Sequence, residues 1–195
     1  MATRGSYAKG VAKRDEILTT ALEVIARNGY RKTSIRDLAA EVELSQTGLL
    51  HYFGTKEELF AEVLRKRDEI DGAELGVDTS LTPAAFIDGL VKVVKHNADV
   101  PGLVQLYSQF SAEAAEPGHP AREYFQERYR QYRDIVARFV RAQQAMGALP
   151  ASLDADSTAA LLAAATDGLQ TQWMLDDSID MAAHIRYLWG RLTAQ

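Results

Sequence analysis

Thr33-Ser-Ile-Arg-Asp-Leu-Ala-Ala-Glu-Val-Glu-Leu-Ser-Gln-Thr-Gly-Leu-Leu-His-Tyr-Phe-Gly-Thr-Lys56 is the stretch that decides how this chain folds. Ser34-Ile-Arg-Asp37 has the spacing of a capping box, in which the serine hydroxyl and the aspartate satisfy each other's backbone N–H groups. It opens a short helix whose inner face is Leu38, Ala39 and Val42. Leu44-Ser45 makes a turn, and Ser45 is the N-cap of a further helix from Gln46 to about Phe53-Gly54. Helix, four-residue turn, helix is the spacing of a helix-turn-helix, whose second helix enters the major groove of DNA. On that second helix Leu49 and Phe53 stand one turn apart and share a core face with Leu38 and Leu44. Thr47, Gly48 and His51 occupy the opposite face, flanked by Gln46, Leu50 and Tyr52. Such a small, polar face suits a groove. Gly48 costs roughly 1 kcal/mol of helix stability, and its missing side chain lets backbone come close to base edges. Two short helices packed for stability alone are the plain alternative.

Helical periodicity continues on both sides of this segment. Before it, a first helix is expected over about Val11–Arg27, with Leu18, Ala21, Leu22 and Ile25 as an apolar stripe and Asn28-Gly29 as its stop. After it, Thr55-Lys-Glu-Glu58 is a second capping box. It starts a longer helix that turns Leu59, Phe60, Val63, Leu64 and Ile70 inward and fades near Gly76. Thr82-Pro83 opens a fifth helix, Val100-Pro101-Gly102 breaks the chain, and a sixth runs to about Ala115. A seventh spans about Ala121–Met146. The eighth is capped by Asp154 or Asp156 and ends near Asp176-Asp177, and Asp180 caps the ninth. The expected fold class is therefore all-α with about nine helices. A helix-turn-helix domain over residues 1–54 precedes a larger helical domain over 55–195.

The 195 residues suffice for one large or two small domains, and 47% hydrophobic with 25% charged residues is ordinary globular composition. No apolar run is long enough for a transmembrane helix, and the first ten residues lack the apolar core of a secretory signal. There is no cysteine, which excludes disulfides and thiolate metal sites and fits a reducing cytoplasm. The net charge of −5 hides an asymmetry. Residues 1–36 carry eight Lys/Arg against three acids, whereas residues 37–195 carry 14 against 24. A basic head on an acidic body points to an anionic partner at one end.

Beyond spacing, residues from about Lys13 to Leu64 resemble the DNA-binding domain of the tetracycline-repressor (TetR) family. The resemblance rests on Ile17-Leu-Thr-Thr-Ala-Leu22, Asn28-Gly-Tyr30, Thr33-Ser-Ile-Arg-Asp-Leu-Ala39 and above all Gly48-Leu-Leu-His-Tyr-Phe-Gly-Thr-Lys-Glu-Glu-Leu59. It covers about a quarter of the chain; Asp167-Gly-Leu-Gln-Thr-Gln-Trp173 is also similar to the eighth helix of some members. The resemblance implies DNA-contacting roles. Ser34 would hold a phosphate at a helix N-terminus. Arg36 would reach a phosphate or a guanine edge, and Gln46 and Thr47 would read bases. Gly48 and His51 would line the groove, and Tyr52 and Lys56 would grip phosphate. Arg4, Lys9, Lys13 and Arg14, ahead of the first apolar stripe, would follow the backbone or enter a minor groove. One departure matters: Leu50 stands where many members have a phosphate-contacting tyrosine, so His51 or Tyr52 supplies that contact or it is missing.

Enzyme signatures do not stand out in the body. The four histidines have no metal-binding spacing, no glycine-rich phosphate loop occurs, and Ser108 and Ser111 lack a nucleophile elbow. We therefore expect no catalytic residue, no metal and no cofactor. Phe86, Tyr107, Phe110, Gln170 and Trp173 recur at helical spacing with polar tips, and the resemblance implies a ligand cavity that they would line. Plain core is the other reading of such aromatic stripes. Lys92 and Lys95 are the only lysines beyond Leu75, which favours a neutral or apolar effector. Leu161, Leu162, Ala165 and Leu169 on the eighth helix, with Ile185 and Trp189 on the ninth, are expected at the interface of a two-fold homodimer, because an operator needs two heads. The whole reads as a cytoplasmic repressor that binds a pseudopalindromic operator and is released by a small molecule. An activator, or a helical ligand-binding protein or enzyme without a DNA role, is the alternative.

Overall fold

The structure, a computed structural model, describes residues 4–75 and 80–194, with side chains from residue 8 to 72 and from 80 onward. Its described helices are α1 (Arg4–Asn28), α2 (Ile35–Glu41), α3 (Gln46–Phe53), α4 (Lys56–Leu75), α5 (Pro83–Asp99), α6 (Pro101–Glu113), α7 (Arg122–Ala145), α8 (Ala155–Trp173) and α9 (Met181–Thr193), with a 3-10 turn at Tyr30–Lys32. No strand occurs among the described residues. They form two compact units, Met1–Ile70 with Val100–Arg122 and Asp71–Asp99 with Glu123–Gln195.

The first unit closes over the stripes expected from the sequence, to which α1 adds Ile17. Ile17, Leu18, Ala21, Leu22 and Ile25 of α1, Leu38 and Ala39 of α2, Leu49 and Phe53 of α3, and Leu59, Phe60, Val63 and Leu64 of α4 are all buried. At roughly 1.5–3 kcal/mol for each fully buried large apolar side chain, this is where the unit's stability originates. α6 joins the same core through Leu103, Val104, Leu106, Tyr107 and Phe110. It packs on α1, and Gly102 is what permits the approach: a Cβ there would lie 2.2 Å from the carbonyl oxygen of Ile25. Two expectations are corrected here. α1 starts at Arg4 rather than Val11, so the basic arm is helix as far as it is described. Ile70 points outward, because the apolar stripe of α4 ends at Leu64. The side chain of Arg4, and Gly76 where the fourth helix was expected to fade, lie outside the described residues.

The second unit is built from α5, α7, α8 and α9, with α9 packed on both α5 and α8. Phe86 stacks on Phe139 with ring centroids 4.3 Å apart and leans on Trp189 at 5.2 Å. Val136, Val140, Leu162 and Ile185 fill the same core. The buried Gln143 amide donates to the Leu81 carbonyl at 2.9 Å, tying α7 to the chain two residues ahead of α5. Asp154 caps α8 through Ser157 N–H, and Asp180 caps α9 through Ala183 N–H. α8 ends at Trp173, a few residues earlier than its sequence suggests.

Candidate nucleic-acid interface

The geometry of α2 and α3 follows from three hydrogen-bonded stops. The Ser34 hydroxyl accepts from Asp37 N–H while the Asp37 carboxylate accepts from Ser34 N–H, completing the capping box. The four residues Val42–Ser45 then turn the chain, with Glu43 in the left-handed region at φ 56° and Leu44 N–H bonded to the Ala39 carbonyl at 2.8 Å. The Ser45 hydroxyl accepts from Gly48 N–H at 3.0 Å and starts α3. Finally, Thr55 and Glu58 exchange hydrogen bonds at the head of α4, and Gly54, at φ 84°, ends α3.

These stops present one face of α3 to solvent. Leu49 and Phe53 are buried against α2 and α1, whereas Gln46, Thr47 and His51 are exposed and Gly48, Leu50 and Tyr52 are half-buried. The candidate base readers and groove residues therefore lie on one outward surface. A Cβ on Gly48 would stand 3.2 Å from the Ser45 hydroxyl, a contact that asks the hydroxyl to give by a few tenths of an ångström. Tyr52 rests edge-on to His51 and beside Phe53.

The charges around this surface fall into two groups. Arg36, Arg31 and Lys32 are exposed and make no hydrogen bond or ion pair among the described residues. Arg31 and Lys32, on the 3-10 turn, were not singled out from the sequence, although they contribute to its basic first 36 residues. Lys13 and Arg14 are tied down instead. Lys13 bonds Glu16 and the Val42 carbonyl; Arg14 pairs with Glu62 at 2.8 Å and lies over the Phe53 ring. Lys66 reaches Asp15 at 2.6 Å, so ion pairs line the groove of about 250 Å³ between α1 and α4. The Ser34 hydroxyl donates to Asp37 at 2.6 Å, and these bonds hold the Asp37 carboxyl below the ordinary aspartate range. A phosphate at that helix end would have to displace a carboxylate already there. Lys56 stands apart from both groups. Its ammonium sits 5.3 Å from the centroid of the Phe60 ring and 5.9 Å from that of Tyr30.

The proposed effector residues are divided between the units. Tyr107 and Phe110 lie in the first, where Phe110 meets Tyr30 and Phe60 edge-on. Phe86, Gln170 and Trp173 lie in the second, and Phe86 is closed into the Phe139–Trp189 stack. Gln170 is only 5% exposed and its side chain makes no hydrogen bond among the described residues. One turn before it, the Asp167 carboxylate accepts from the Tyr129 hydroxyl of α7. Of the residues expected between subunits, Leu161 is half exposed and Ala165 and Leu169 are half-buried. Leu162, Ile185 and Trp189 are buried in their own unit's core. Tyr187, at 69% exposure, and Leu175, at 87%, are exposed large apolar side chains of this unit that the sequence reading passed over.

A four-residue turn between two capped helices, with buried Leu49 beneath an exposed Gln46-Thr47 edge, defines a helix-turn-helix protein. Residues 17–63 match the family described as bacterial regulatory proteins, tetR family, and residues 96–193 match the C-terminal part of BetI-type transcriptional repressors. The chain belongs to the TetR family. It is 33% identical over 81 residues to the transcriptional repressor KstR2 of Mycolicibacterium smegmatis, a match spanning 40% of this chain and 40% of that relative. Among solved structures, a TetR-family regulator from Rhodococcus sp. superposes with a TM-score of 0.75 at 20% identity, covering 93% of this chain and 98% of the other. A transcriptional regulator from Saccharomonospora viridis, solved in complex with choline, superposes with a TM-score of 0.67 at 26% identity, covering 92% and 94%.

Proposed function

We propose that the chain is a ligand-released transcriptional repressor, working in the cytoplasm without a catalytic role, that grips a pseudopalindromic operator as a homodimer. The observation that carries this reading is the outward face of α3: Gln46, Thr47 and His51 exposed above buried Leu49 and Phe53. Residues 1–54, with Lys56 at the head of α4, supply the DNA contacts. Gln46 bonds an adenine edge, Thr47 packs its methyl against thymine, and Gly48 and His51 line the groove. Arg36, Tyr52 and Lys56 hold phosphates, and Ser34 does so only after releasing Asp37. Residues 55–195 bind the effector and the second subunit. The dimer surface is centred on Leu161, Ala165, Leu169 and Tyr187, with Leu162, Ile185 and Trp189 supporting it from beneath.

The effector is a small neutral or apolar molecule taken up beside Gln170 and Trp173. A cationic effector is the second reading, favoured by the Asp167–Tyr129 pair next to Gln170 and by the choline complex of the Saccharomonospora viridis regulator. Release requires that the effector prefer the state unable to bind DNA, since equal affinity for both states shifts nothing. Genome-wide footprinting tests the core of this reading. Discrete protected inverted repeats support it, and a profile indistinguishable from a strain lacking the protein contradicts it. Thermal shift of the purified chain with choline and with uncharged metabolites separates the two effector readings.

A further inference from the structure

Lys56 is placed differently from the other cations of the first unit. Arg31, Lys32 and Arg36 extend into solvent, and Lys13, Arg14 and Lys66 are anchored on carboxylates. Lys56 makes no ion pair or hydrogen bond among the described residues, yet it is half-buried over two ring faces. Those rings are fixed in turn. Tyr30 and Phe60 meet edge to face at 5.3 Å and 80°, and Phe110 of α6 meets both, at 5.7 Å and 90° and at 5.9 Å and 85°. Phe60 and Phe110 are essentially inaccessible, so the triad is a rigid piece of core that ends in two ring faces under one ammonium.

We propose that the Tyr30–Phe60–Phe110 triad is a positioning device for the Lys56 ammonium, making Tyr30 and the α6 residue Phe110 determinants of DNA affinity although neither reaches the DNA. The inference rests on the reading of Lys56 as a phosphate contact. An unanchored lysine gives up side-chain rotamer freedom when it takes a phosphate. A ring face holds the ammonium by its quadrupole without consuming its three N–H donors, as a carboxylate would. The ammonium thus stays localised and available. Glu57 and Glu113 face the same cluster, and burial together with these two carboxylates holds the Tyr30 phenol above its ordinary range, so the ring stays neutral under Lys56 at physiological pH.

Operator affinity measured against salt tests this. Each lost phosphate contact lowers the slope of log K on log salt by about 0.9, so Lys56→Ala in both heads of a dimer lowers it by about 1.8. Tyr30→Leu keeps apolar volume and removes the ring face, and it is expected to lower the slope by roughly half that amount or more. Adding Lys56→Ala to Tyr30→Leu brings the slope only to that of Lys56→Ala alone, and Tyr30→Phe restores the wild-type slope. A Tyr30→Leu protein with the full slope, or additive losses in the double variant, overturns the triad while leaving Lys56 as a phosphate contact. An unchanged slope in Lys56→Ala overturns both. Should Tyr30→Leu fold poorly, proton NMR of the wild type decides: the Lys56 ε-methylene resonances lie upfield of those of exposed lysines if the ammonium sits over the rings, and ordinary shifts overturn the proposal.

Discussion

Gly102 shows how much of the fold one residue controls. A methyl group there would meet the Ile25 carbonyl oxygen at 2.2 Å and the Cα of Gly29 at 2.9 Å, both backbone atoms that cannot swing aside. Gly102→Ala must therefore push α6 off the end of α1, and we expect a loss of about 1–3 kcal/mol in chemical denaturation, as for an overpacked core. Gly72 is the control. It lies inside α4 with nothing within 4 Å of a built Cβ, so Gly72→Ala should stabilise by about 0.5–1 kcal/mol. The sequence signalled only a chain break at Val100-Pro101-Gly102. A close helix crossing leaves no local pattern, because the partner atoms come from residues more than seventy positions away. The same limit applies to Lys56, whose place in the first turn of α4 was legible while its seat over Tyr30 and Phe60 was not. It applies again to Trp189, whose apolar spacing suited a subunit interface as well as the core that encloses it.

At the scale of elements the sequence was far more legible, since caps are written in adjacent residues. Ser34, Ser45, Thr55 and Asp180 all cap where their spacing places them, and of the two candidates Asp154 and Asp156 it is Asp154 that caps α8. The start of α1 was missed because nothing in Arg4–Gly10 has an apolar stripe; these two turns of helix extend one already nucleated by its buried residues. The caps also make stability depend on pH. Hydrogen bonds from Ser157 hold the Asp154 carboxyl below its ordinary range, and those from Ser34 do the same for Asp37. A carboxyl with a depressed folded pKa stabilises above its unfolded value and loses that contribution as pH falls through the folded value. The native state should thus weaken on acidification below the ordinary aspartate range, near pH 4. Asp154→Ala should be less stable than wild type at pH 7 and show a shallower acid dependence in urea melts. Equal acid slopes in the two proteins would show that the cap does not titrate as described.

For the whole molecule, the two units present different faces to partners. The head offers a polar α3 edge and the exposed cations Arg31, Lys32 and Arg36, and the second unit offers Leu161 and Tyr187 on helices whose inner sides are already filled. Leu161→Glu and Tyr187→Glu should give folded monomers by sedimentation that bind DNA poorly. Trp189→Glu should instead unfold the second unit, because the charge would enter the Phe86–Phe139 stack. A folded, dimeric Leu161→Glu protein would move the interface elsewhere.

The claim on which the rest depends is that the outward edge of α3 reads base pairs. Selection from random duplex DNA, run in parallel with wild type and Gln46→Ala, tests it most directly. The wild type is expected to enrich an inverted repeat whose half-sites lie an integral number of helical turns apart. Gln46→Ala is expected to keep the repeat but relax one symmetric base pair, costing about 1–3 kcal/mol on the preferred sequence. Recovery of no repeat by the wild type, or of an unchanged repeat with unchanged affinity by Gln46→Ala, would contradict it.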